Sequence, residues 1–170
     1  MAGTSLALDD QVCFALAIAS RRVIGSYREL LAPMRLTHPQ YLVMLALWEQ
    51  EPRGMQELGS VLALDPGTLS PLLKRLEALG YLSRSRRTGD ERYIDVALTD
   101  DGRALRQQAE VIPATLVERL GVPLAELEAL RDSLQHLIGA IDANDAAPRT
   151  TPKLTDTDGR FITRPSGTNP

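Results

Sequence analysis

Residues 64–82 read LDPGTLSPLLKRLEALGYL, and the chain runs on through residues 83–98 as SRSRRTGDERYIDVAL. Asp65 is a helix N-cap with Pro66 in the first turn, because a carboxylate accepts an orphan backbone N–H and proline has none to lose. Leu69, Leu72, Leu73, Leu76 and Leu79 recur at helical spacing and form one buried stripe. Gly80 stands where a left-handed C-terminal cap is expected. The other face carries Thr68, Ser70, Lys74 and Arg75, and Pro71 in the second turn is the residue least suited to the helix.

After Gly80 the period changes. LSRSRR alternates, TGDERY contains a turn and YIDVALT alternates again, which predicts a β-hairpin over about residues 82–98 with Arg84, Arg86, Arg87 and Arg92 at a polar tip. Upstream, GMQELGSVLAL predicts a short helix with Met55, Leu58, Val61 and Leu62 on its buried face. Two short helices joined by a tight turn and followed by a hairpin make a winged helix–turn–helix. The second helix offers Thr68, Ser70, Lys74 and Arg75 to a major groove. Guanidinium groups on a thin hairpin, here Arg86, Arg87 and Arg92, reach phosphates or a narrow minor groove.

Helices flank this unit. Apolar residues from Leu8 to Leu31 keep helical spacing, with Asp9 or Asp10 as cap and Pro33 as stop. THPQYLVMLALWEQ predicts a helix capped by Thr37, apolar almost all round from Tyr41 to Trp48. A further helix opens at Thr99, Pro113 kinks or divides it, and Pro123 starts the last one. The expected fold is mainly α with a small β-hairpin. One domain spans residues 1–143: dimerisation helices at 8–33 and 99–143 enclose a DNA-binding lobe at 38–98. Residues 144–170, rich in Pro, Thr, Gly and Asp, are expected to be a flexible tail.

Composition narrows the function. The chain has 170 residues, 44% of them hydrophobic but only 4% aromatic, so the core must be aliphatic. A single cysteine, Cys13, excludes an intrachain disulfide and a multi-thiolate zinc site, and two histidines make any metal site an unfavoured expectation. No cofactor is expected. No apolar run reaches the ~20 residues of a membrane span, and the first ten residues lack the pattern of a signal peptide, so a cytoplasmic location with a reduced thiol is expected. Net charge is −3, so a nucleic-acid partner must be met by local charge.

At these residues the sequence resembles the MarR family of bacterial regulators over roughly residues 6–142. DERYIDVALTDDGR looks like that family's wing, in which an Asp and an Arg two positions on, here Asp90 and Arg92, support the loop and contact the minor groove. DQVCFAL, YRELLAPMRLTHPQYLVMLALWE and LALDPGTLSPLLKRLEALG are similar to the organic-hydroperoxide-responsive group within the family. The resemblance implies a homodimeric repressor, not an enzyme, whose reduced form binds double-stranded operator DNA and lets go when hydroperoxide oxidises the thiol at the position of Cys13. Of three aromatic partners usual in the group, Tyr27 matches, while Ala17 and His38 stand where tyrosines are usual.

Cys13 and Tyr27 lie within ~40° of one helix face but ~21 Å apart along it, so they meet only if a second copy crosses antiparallel. With this geometry, the resemblance implies a redox set of Cys13, Tyr27 and His38 at a dimer seam. With no second cysteine, a small cellular thiol must complete a mixed disulfide. The alternative is a small phenolic or aromatic ligand bound between dimer helices and DNA-binding lobe by Arg22, His38, Tyr41 and Trp48, leaving Cys13 structural. An enzymatic pairing of Cys13 with His38 lacks an oxyanion turn and a third polar orienter.

Overall fold

A computed structural model of the chain describes residues 6–146, Thr88 excepted. Two compact units are present, Met1–Val122 and Pro123–Pro170. The first opens with one 3-10 turn, Leu8–Asp10, followed by α1, Val12–Leu31. Neither Asp9 nor Asp10 caps α1, contrary to expectation. Both are spent inside the 3-10 turn, and the extended residue that starts the helix is Gln11.

α2, His38–Glu49, starts as the sequence predicts. The Gln40 side-chain oxygen accepts from the Thr37 backbone N–H at 2.8 Å and from its hydroxyl at 3.1 Å, and Pro39 occupies the first turn. Tyr41, Val43, Met44, Ala46 and Leu47 are buried, but Leu42 and Leu45 remain 38% and 42% exposed. A helix expected to be apolar all round thus keeps one apolar stripe uncovered by its own unit.

A two-residue strand, β1 at Arg53–Gly54, was not foreseen, since two residues carry no periodicity. It leads directly into α3, Met55–Leu62, and a short turn into α4, Pro66–Ala78. The turn is tight: Ala63 takes a left-handed backbone (φ 52°) and the Leu64 N–H donates to the Gly59 carbonyl at 2.8 Å. Val61 is 52% exposed, against expectation, because it falls about 120° round the helix from Met55 while Leu58 and Leu62 share the inner face. In α4, Leu69, Leu73 and Leu76 are buried with Leu72 and Leu79 packed beside them, and Gly80 follows at φ 79° as the left-handed cap.

β2, Leu82–Arg87, and β3, Asp90–Leu98, form the hairpin, and the antiparallel sheet has the order β1-β3-β2. The register runs Leu82↔Leu98 to Arg86↔Ile94 on one side and Arg53↔Val96 on the other. α5, Asp100–Ala109, is capped by the Thr99 hydroxyl, which accepts the Gly102 N–H at 3.1 Å and donates to the Gly80 carbonyl at 2.5 Å. Pro113 divides rather than kinks: α6, Ile112–Leu120, is a new helix with the proline in its first turn. Leu105, Ala109 and Ile112 complete one core with Leu31, Met44, Leu47, Leu58, Leu73, Leu76 and Val96. The segment beginning at residue 99 therefore fills the lobe's own core as well as extending beyond it.

The second unit holds α7, Leu124–Ala146, which passes the expected boundary at residue 143 by three residues and buries none of its side chains. Residues 147–170, most of the expected tail, lie outside the described residues. Among the described residues no helix is long and apolar enough to cross a membrane.

Gly102 is where α5 meets the end of the hairpin. A Cβ built there would collide with the Tyr81 carbonyl oxygen, a backbone atom that cannot swing away. Gly102→Ala is expected to destabilise the chain by about 2–3 kcal/mol, as overpacking of a fixed contact does. Thermal unfolding checks this; an unchanged midpoint would mean that the junction yields.

Candidate functional site

The outward face of α4 is built by its cap. The Asp65 carboxylate accepts the Thr68 N–H at 3.0 Å and the Thr68 hydroxyl at 2.7 Å, and these bonds hold its pKa below the usual carboxylate range. The Thr68 hydroxyl, expected to face a groove, is therefore committed as a donor to the cap. Thr68, Lys74 and Arg75 are exposed and Ser70 is half-buried. At 100° per residue, Thr68 and Arg75 share one edge of the exposed face while Ser70 lies ~160° away on the other. Between them stand Lys74 and the exposed Pro71, so the expected four-residue polar face is split around a proline. Sequence reasoning treated Pro71 as a flaw in the helix. Its place opposite the leucine stripe was legible from the same spacing.

The hairpin arginines are all engaged, each in a different way. Arg92 forks onto Asp90 (Nε to Oδ1 2.9 Å, Nη2 to Oδ2 2.8 Å) while its side chain stays 84% exposed. The pairing lowers the Asp90 pKa and raises that of Arg92. Arg87 forks onto Asp95 at 3.0–3.1 Å through Nε and 2.5 Å through Nη2, and lies 5.4 Å from the Tyr93 ring centre. Arg84 is not at the tip as expected. Strand alternation turns it toward α4, where Nε meets Glu77 at 3.0 Å, and the bond from Arg84 depresses the Glu77 pKa. Arg86 is exposed, in register with Ile94. Between this wing and the start of α3 and α4 lies a cleft of about 700 Å³ walled by Met55, Leu64, Leu69, Arg87, Arg92 and Tyr93.

Cys13 is the second residue of α1 and is exposed. α1 is unbroken to Leu31, which places Tyr27 about 21 Å further along the axis. Tyr27 instead packs on His38, with ring centres 4.7 Å apart, and on Tyr41 at 5.8 Å. Tyr41 meets Trp48 edge-on at 6.2 Å, and the Trp48 indole N–H donates to the Gly102 carbonyl at 2.8 Å. Burial raises the Tyr27 pKa, and burial followed by the neighbouring Tyr27 raises that of Tyr41, while burial lowers that of His38. Tyr27 and His38 are thus brought together, but Cys13 does not join Tyr27 within one chain. Tyr41 and Trp48 line a cleft of about 330 Å³ with Leu45, Arg106, Glu110 and Pro113. Arg22 and His38, expected beside them, are absent from its walls: His38 sits a helical turn before Tyr41 and Arg22 is exposed on α1. Among the described residues no His, Cys, Asp and Glu gather as a metal site.

A helix pair joined by a tight turn, a three-stranded wing sheet and framing helices define a winged helix–turn–helix protein. A family model described as transcriptional regulator SarA/Rot matches residues 26–109. The chain is 49% identical over 127 residues to the HTH-type transcriptional regulator TtmR of Methylorubrum extorquens, covering 75% of this chain and 65% of that one, so it spans about two-thirds of that relative's length. It is 39% identical over 131 residues to the organic hydroperoxide resistance transcriptional regulator of Bacillus subtilis, covering 77% of this chain and 89% of that one. The structure of reduced AbfR bound to DNA matches with a TM-score of 0.63 and 34% identity, over 77% of this chain and 95% of that one. The chain belongs to the MarR family of transcriptional regulators. It is a DNA-binding regulator of transcription and not an enzyme.

His38 gives a pH test. Its folded form favours the neutral ring, so as pH falls through the ordinary histidine value of about 6.5 the unfolded chain takes up a proton first and stability drops. His38→Phe keeps a ring against Tyr27 and removes the titration. Chemical denaturation from pH 7 to pH 5 should show a flatter decline for the variant; parallel curves would mean that the burial of His38 does not matter to folding.

Proposed function

We propose that the chain is a homodimeric repressor that holds double-stranded operator DNA through α4 and the wing, and that oxidation of Cys13 by an organic hydroperoxide releases it. The observation that carries the reading is the exposed Cys13 on a helix that leaves its apolar residues open. Val12, Leu16 and Ile24 of α1 and Leu124, Leu130, Leu137, Ile138 and Ile141 of α7 are all exposed. Covering a side chain of this size is worth about 1.5–3 kcal/mol, so helices of this kind are made to be covered by a second copy. Antiparallel crossing of two α1 helices brings Cys13 to Tyr27 of the partner subunit. The name of one relative supports the same reading, since it is an organic hydroperoxide resistance regulator.

The chemistry closes. The Cys13 thiolate attacks one peroxide oxygen, the O–O bond breaks, and the alcohol leaves with a proton while the sulfur becomes sulfenic acid. A small cellular thiol then displaces water from it and forms a mixed disulfide. The added bulk between dimer helices changes the separation of the two α4 helices, which a two-site operator holds near ~34–36 Å. Lys74 and Arg75 take the major groove in this reading, with Thr68 beside Arg75 and the half-buried Ser70 at the far edge, while Arg86, Arg87 and Arg92 reach the backbone and minor groove and Asp90 holds Arg92. A second reading places a small aromatic ligand in the open cleft beside Tyr41 and Trp48, with Cys13 passive; the edge-on ring pair on its wall favours it.

Arg92→Ala is expected to weaken operator binding by about 1–3 kcal/mol at fixed salt. Equal affinity in gel-shift titrations removes the wing from the interface. For the switch, dimeric wild type by light scattering should lose its gel-shift after stoichiometric hydroperoxide and a small thiol, with one thiol adduct on Cys13 by mass spectrometry. Cys13→Ser should bind DNA normally and ignore the oxidant. Unmodified Cys13 with binding retained hands the protein to the ligand reading.

A further inference from the structure

The wing is joined to the body of the unit by very little sheet. β1 contributes two residues, Arg53 opposite Val96 and Gly54 opposite Asp95. Continuing that antiparallel register by two residues sets position 51 opposite position 98. No backbone rung forms there. Instead the Glu51 carboxylate turns in and supplies it: Oε2 accepts the Leu98 N–H at 2.7 Å. The same carboxylate takes Arg103 Nη1 at 3.0 and 3.1 Å, and that nitrogen also donates to the Leu98 carbonyl at 3.0 Å. Arg103 Nη2 reaches Asp100 at 2.9 Å. Both backbone polar groups of Leu98 are thus held by a side-chain pair, one member following α2 and the other in α5.

We infer that Glu51 and Arg103 are positioning residues for DNA binding, a charged clamp at the root of the wing that aims Arg92 without touching DNA. The inference rests on the wing contact proposed above. Leverage gives it weight. Arg92 stands two residues beyond Ile94, where the regular ladder ends about 13 Å from Leu98, so a rotation of about 5° at the root carries it by more than about 1 Å. Hydrogen bonds to a phosphate or base edge tolerate only a few tenths of an ångström. The hydrophobic anchors Leu82, Val96 and Leu98 fix the depth of the root in the core but have no directional preference of their own. The clamp supplies the direction. Its two residue types suit that role, since a carboxylate accepts from both an N–H and a guanidinium, and the arginine fork bridges a carbonyl and two carboxylates at once.

A double-mutant cycle on the full chain tests this, with DNA from the region upstream of its own reading frame as the probe. Glu51→Ala alone should weaken binding about tenfold, and in an Arg92→Ala background it should weaken it by less than about twofold, since residues acting through one contact are not additive. Arg103→Met removes the clamp from the other side and should repeat the pattern; circular dichroism at the assay temperature confirms that each variant is folded. Losses that multiply across the two sites overturn the clamp, because Glu51 then acts on folding or on α4 rather than on the wing. An Arg92→Ala chain that binds as tightly as wild type overturns the wing contact itself, and the clamp with it.

Discussion

The fold depends on one close approach of backbone to backbone. Gly102, in the first turn of α5, lies against the Tyr81 carbonyl with no room for a side chain. Around it, the Thr99 N–H donates to that same carbonyl at 3.1 Å, the Thr99 hydroxyl donates to Gly80, and the Trp48 indole donates to Gly102. The end of α4, the start of α5 and the C-terminal half of α2 meet at this point. Leu98 stands beside it, so the depth of the hairpin follows from how close α5 comes. An alanine at position 102 would wedge α5 away from everything that the helix closes over.

That junction explains how the protein joins two kinds of surface. The aromatic run Tyr27, Tyr41 and Trp48 leads from α1 along α2 and ends on the Gly102 carbonyl. The wing leaves from the other side of the same joint. The residues around the ring pair and those on α4 and the wing are therefore fastened to a common, densely hydrogen-bonded piece of backbone rather than to separate loops. A loose joint at this place would let each surface relax independently of the other.

Local rules were the legible part of the sequence. Asp65 and Thr99 cap their helices, Gly80 takes the left-handed turn and Pro113 separates two helices, because each effect is decided within four residues. The arginines of the wing were legible as a cluster but not as pairs. Whether Arg84 goes to Glu77 and Arg87 to Asp95 is set by strand register and by the approach of α4, and neither is written in the spacing. β1 escaped notice for the opposite reason: a strand of two residues exists only because β3 is there to pair with. Asp9 and Asp10 satisfied a composition rule two residues and one residue too early, and a cap cannot be displaced by even that much. The face of α4 lay between these cases: Thr68, Lys74 and Arg75 are exposed, and a common orientation was over-read at Ser70.

The forked pairs on the wing have a consequence for how it is seen from afar. Arg84, Arg87 and Arg92 each lie within ion-pair distance of a carboxylate. At the separation of a Debye length, about 8 Å in physiological salt, such a pair is felt as a dipole and not as a cation. The chain as a whole is anionic. Long-range attraction toward a polyanion is correspondingly faint, and a guanidinium becomes a full charge only for a group close enough to take the carboxylate's place. Such a surface is quiet at a distance and selective on contact, unlike a bare basic patch, which gathers any nucleic acid within reach.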